Sequence, residues 1–79
     1  MLVHLGKDVA VSMESIIMIL DSKISKYLAV QDFLENIKEE GFLHELTVPG
    51  KERSYIISDR GVFISPISSA TLKKRAGCF

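Results

Sequence analysis

The chain has 79 residues, ten cations against ten acids, and 47% apolar side chains. That length makes one domain, residues 1–79, which buries only about 60% of its unfolded surface, so without a disulfide or metal it gains stability by self-association. The apolar run Ile16 to Leu20 falls far short of the ~20 residues of a membrane span, and the segment from Met1 to Gly6 lacks the basic start of a signal peptide. Cys78 is the only cysteine, so no intrachain disulfide forms, which fits a reducing compartment. The expectation is a cytoplasmic protein that does not contact the membrane.

The first twenty residues read as extended. Leu2, Val3 and Leu5 lead to a tight turn at Gly6-Lys7-Asp8, and Val9-Ala10-Val11 return from it. Ser12 to Ser15 interrupt the run. Ile16 to Leu20 then form a strand expected to be buried on both faces, since β-branched residues dominate a short apolar run. From Asp21 the period changes. Asp21, Ser22 and Ser25 are candidate caps, and Val30, Phe33, Leu34 and Ile37 recur at helical spacing up to a stop at Gly41.

Phe42 to Val48 predict another strand, closed by Pro49-Gly50. Residues 53–58 and 61–65 predict a hairpin turning at Ser58-Asp59-Arg60-Gly61. Pro66 donates nothing to a ladder and ends the second strand. Ser68 or Ser69 then caps a short final helix through Arg75, whose cations suit the negative end of its dipole. The whole is a compact, strand-rich α+β domain of five or six short strands, one central amphipathic helix and a short C-terminal helix.

The residue types argue against catalysis. His4 and His44 lack companions at metal-ligand spacing. Gly6-Lys7 and Gly50-Lys51 fall short of a phosphate loop, and Ser65, Ser68 and Ser69 have no adjacent histidine to activate them. No enzyme, cofactor, metal or small-molecule substrate is expected.

Charge is segregated along the chain. Residues 1–48 hold four cations against eight acids, and residues 49–79 six against two. The basic part comprises Lys51, Arg53, Arg60, Lys73, Lys74 and Arg75, candidate contacts for an anionic polymer such as double-stranded DNA. Consecutive helical residues point about 100° apart, so Lys73, Lys74 and Arg75 fan out, which suits phosphates better than base edges. The same segregation also fits a scaffold whose basic end meets the acidic part of a neighbouring copy.

The residues Met1 to Asp8, the step Val11-Ser12 into Ile16 to Asp21, Glu39-Glu40-Gly41-Phe42, and the ending from Ser65-Pro66-Ile67-Ser68-Ser69 through Ala70-Thr71-Leu72-Lys73-Lys74-Arg75 resemble the RemA-like family of small bacterial biofilm-matrix regulators. They lie nearest its RemB branch, the matrix-regulator B type. The resemblance implies a LytTR-like fold, a transcriptional regulator that binds DNA, assembly into a homo-oligomeric ring, residence on the nucleoid, and no enzymatic activity. RemA-type proteins carry an arginine before the third strand, where this chain has Ser15. They also carry an arginine pair before the hairpin, where this chain has Lys51 and Arg53 separated by Glu52.

Overall fold

The computed structural model describes residues 1–77, and Cys78 lies outside the described residues. The chain opens with an antiparallel hairpin, β1 (Leu2–Gly6) and β2 (Val9–Ser12). Lys7 and Asp8 turn between them at φ 49° and 60°, the left-handed pair that matches a two-residue turn to the strand twist. A 3₁₀ turn, Met13–Ser15, leads into β3 (Ile16–Asp21), and a second, Ser22–Lys26, into helix α1 (Leu28–Glu39). Then follow β4 (Leu43–Glu45), β5 (Ser54–Ser58), β6 (Gly61–Ser65) and helix α2 (Ser69–Ala76). Strands β3 to β6 form a sheet of order β3-β5-β6-β4, in which β4 runs parallel to β6 and the other pairs are antiparallel. Six strands in two sheets and two α-helices match the α+β expectation.

Strand alternation sorts the sheet into two faces. On one face Ile19, Ile56 and Phe63 stand abreast, and they share a core with Val3, Leu5 and Val11 of the hairpin and Leu72 and Ala76 of α2. Leu5, Ile56 and Leu72 are completely buried, each stabilising the fold by about 1.5–3 kcal/mol through apolar burial. On the other face α1 lies over the sheet. Its Val30, Phe33 and Leu34 meet Leu20, Tyr55, Ile57 and Val62 around a gap of about 60 Å³.

Three expectations change. First, the residues proposed as helix caps do not start α1. Asp21 caps the 3₁₀ turn, accepting the Lys23 N–H at 2.8 Å, and Tyr27 precedes α1 without a side-chain cap. The cause is tertiary: the Ser22 N–H bonds the Arg53 carbonyl at 3.1 Å and its hydroxyl the Glu52 carbonyl at 3.1 Å. The chain is therefore pinned beside the start of β5 and must turn before rising over the sheet. No α1 residue is buried, and Phe33 is 41% exposed, short of a core anchor.

Second, β3 is an edge strand with a bulge between Ile16 and Met18, so Ile17 and Met18 are 62% and 43% exposed instead of buried on both faces. Third, the strand expected over Phe42 to Val48 shrinks to Leu43–Glu45. The Leu46 N–H still reaches the Ile64 carbonyl at 2.9 Å, but the Lys51 N–H then bonds the Val48 carbonyl at 3.2 Å. That turn carries the chain back towards β5 and leaves Phe42 and Val48 exposed.

Candidate nucleic-acid interface

The hydroxyl-rich junction between β6 and α2 fixes where the C-terminal cations stand. Ser65 is fully buried; its hydroxyl donates to the Leu5 carbonyl and accepts the Ile67 N–H at 3.0 Å. Ser54, also fully buried, donates to the Ile67 carbonyl at 2.7 Å. Pro66 packs so closely on Gly6 that a Cβ there would lie 3.1 Å from its Cδ. Ser68 then caps α2, accepting the Thr71 N–H at 3.2 Å, which satisfies one of the amide donors left free at a helix start. Leu72 and Ala76, four residues apart, insert into the core.

The serines of this ending therefore hold the fold together. Ser54 and Ser65 escaped sequence reading as clamps because each bonds a residue distant in sequence or across a turn. What the junction leaves facing outward is the last turn of α2. Lys74 and Arg75 are exposed and Lys73 is half-buried. Arg75 is also anchored, its Nη1 donating to the His4 carbonyl of β1 at 3.2 Å.

The other cations fall at opposite ends of the sheet. Lys51 and Arg53 are exposed in the loop before β5. The Arg53 N–H bonds the Ser65 carbonyl at 2.8 Å, placing its backbone beside the root of α2. Arg60 is exposed at the far tip of the β5–β6 hairpin. At about 3.4 Å per residue the backbones of Arg53 and Arg60 lie roughly 20 Å apart. The six cations thus form no single cluster.

Arg60 has neighbours that its place in the sequence did not suggest. It lines a cleft of about 290 Å³ with Leu2, Ala10, Val11, Ser12 and Ser15. The Asp59 N–H bonds the Ser15 carbonyl at 3.0 Å, locking the hairpin tip against the start of β3. His44 stacks on Phe63 with centroids 4.8 Å apart, and its Nε2 lies 3.4 Å from the Arg60 carbonyl. The tip is therefore braced on both sides while the Arg60 side chain faces solvent.

Among the described residues the one ion pair joins Lys38 and Glu45 at 3.8 Å. Among the described residues no acid pairs with any of the six candidate cations, so their charge is available to an outside anion. The Glu14 carboxyl is held below its ordinary value by hydrogen bonds from the Ser12 hydroxyl and its own backbone N–H. No group of three His, Cys, Asp or Glu side chains suited to a metal occurs among the described residues. No helix among them is long and apolar enough to cross a membrane.

Comparison with known proteins gives one family. The model described as RemA-like, extracellular matrix regulatory protein A-like, matches residues 2–76. The chain is also 37% identical over 78 residues to extracellular matrix regulatory protein B of Bacillus subtilis (strain 168), covering 96% of this chain and 90% of that protein.

Proposed function

Because the chain belongs to the RemA-like family of extracellular matrix regulatory proteins, we propose that it is a DNA-binding transcriptional regulator of biofilm matrix genes. It acts in the cytoplasm, on the nucleoid, as a ring-like homo-oligomer that grips the phosphate backbone. The LytTR-like character implied by the resemblance is part of the same proposal. The observation that carries it is the set of cations without acidic partners among the described residues: Lys51, Arg53, Arg60, Lys74 and Arg75 exposed, with Lys73 half-buried.

Arg60 adds support. It lines the same cleft as Ser15, which stands at about the place where the resemblance implies an arginine in RemA-type proteins, and this supports a cationic contact there. Because the cations sit at two ends of the sheet, one subunit touches the backbone at separated points. Many copies in a ring would turn weak single contacts into firm binding through avidity.

A mobility-shift titration of the full chain on duplex DNA at low and moderate salt tests the proposal. It expects a shift at low salt that fades as salt rises, since phosphate contacts release counterions. No shift on any duplex at low salt, from an assembled protein, would favour an oligomeric scaffold that does not bind nucleic acid.

A further inference from the structure

The geometry points to a specific self-association surface: the open edge of β3 and the turn after it, on one copy, seat in the acid-walled groove between α1 and β4 of a second copy. This inference rests on the reading of the protein as a homo-oligomer and supplies the interface that reading lacks. The inserting side is the β3 edge. It is the outermost strand of its sheet and presents a row of peptide groups without a ladder partner. It also exposes Ile17 and Met18 at 62% and 43%. The following turn carries exposed Lys23 and Lys26. Among the described residues neither has an acidic partner, and the Lys26 ammonium lies 5.3 Å from the Tyr27 ring centroid.

The receiving side is a groove of about 490 Å³ lined by Leu34, Glu35, Lys38 and Glu39 of α1 and Leu43 of β4. Within it Lys38 is engaged by Glu45 at 3.8 Å, which leaves Glu35 and Glu39 without a cationic partner. Apolar side chains would therefore meet apolar walls, and two unpaired lysines would meet two unpaired glutamates. No residue of α1 is buried in the single copy, so the walls of this groove lack cover.

A second copy is the occupant because both complementary halves are on one chain. They lie at opposite ends of the strand order, β3 at one and β4 at the other. Such a contact is heterologous, each copy offering its edge and receiving its neighbour's, and it closes into a ring where the rotation permits. It uses none of the cations assigned to DNA, so those remain outward.

The test is sedimentation velocity on the full chain at low salt, with far-UV circular dichroism to confirm folding. Two charge reversals are made separately, Lys23→Glu with Lys26→Glu, and Glu35→Lys with Glu39→Lys. All four positions are exposed. Each reversal alone sets like charges against each other and should raise the protomer concentration needed for assembly at least tenfold. An equimolar mixture of the two should assemble at lower protomer concentration than either variant alone, because each contact between unlike variants again pairs opposite charges. A folded Met18→Glu variant should stay monomeric. Reversals that keep the wild-type mass, or a mixture that assembles no better than either variant alone, overturn this surface while the oligomer reading stands. A wild-type protein that is monomeric at every concentration overturns both.

Discussion

Gly61 opens β6 at φ 120°, and a Cβ there would lie 2.4 Å from the Phe42 carbonyl oxygen and 3.3 Å from His44 Nε2. The first clash is with backbone, so no rotamer change relieves it. The Phe42 carbonyl would have to withdraw, and it accepts the Val62 N–H at 2.9 Å at the point where β4 joins β6. Gly61→Ala therefore carries backbone strain of about 1–3 kcal/mol together with a weakened hydrogen bond worth about 1 kcal/mol. Gly41→Ala is the control: its φ is 84° and nothing lies within 4 Å of its Cβ position, so it carries strain alone. At 4–8 °C per kcal/mol for a domain of this size, a loss of about 3 kcal/mol lowers the melting temperature by roughly 12–24 °C. Total stability is on the order of 4–12 kcal/mol, so the loss is a large share. Thermal and urea unfolding followed by far-UV circular dichroism measure it, at one protomer concentration because assembly adds to apparent stability. If Gly61→Ala melts within 2 °C of Gly41→Ala, a threshold of about half a kcal/mol on that conversion, the close approach of Phe42 is wrong.

Leu72→Ala should cost about 2–5 kcal/mol because the side chain is completely buried. Phe33→Ala, at a site already 41% exposed, should cost about 1–2 kcal/mol; urea midpoints in the reverse order would show the layers misassigned. Ser65→Ala leaves the Leu5 carbonyl without its donor and should cost about 1–3 kcal/mol, and an unchanged midpoint would rule out the clamp between the two sheets. The folded Glu14 carboxyl titrates below its ordinary 4.5, so its stabilising contribution is present above 4.5 and is lost as pH falls through the folded value. An NMR titration should place its midpoint below 4.5 and Ser12→Ala should move it upward, whereas a wild-type midpoint at or above the ordinary value would contradict the Ser12 hydrogen bond.

Turns and stops were legible where one residue's own chemistry decides them. Lys7-Asp8, the Asp59-Arg60 tip, the halt at Pro66 and a serine cap at Ser68 or Ser69 all follow from local backbone and side-chain preferences; the structure keeps the first three and puts the cap at Ser68. What failed was set by tertiary position. The run Ile16 to Leu20 looks the same whether it lies at the middle or the edge of a sheet, and only the order β3-β5-β6-β4 exposes Ile17 and Met18. The start of α1 moved because Ser22 bonds residues 30 and more positions away, beyond the reach of local pattern. The cations were legible as charges. That Arg53 and Arg60 lie at opposite ends of one hairpin follows from the hairpin reading, but the anchoring of Arg75 on His4 and the meeting of Arg60 with Ser15 required the packing of β1 and β2.

The central claim is that these cations grip DNA phosphates, and the salt dependence of binding tests it most directly. Fluorescence anisotropy of a labelled duplex should be measured over a salt series, for the wild type and for Lys73→Ala, Lys74→Ala and Arg75→Ala combined, with the mass of each protein checked in the same buffers. Each lost phosphate contact removes about 0.9 from the slope of log affinity against log salt, so the triple variant should flatten the slope by up to about 2.7 per engaged subunit. The account predicts that flattening on all duplexes alike, with the oligomer intact. An assembled wild-type protein that binds no duplex at the lowest salt, or a triple variant with an unchanged slope, would contradict it.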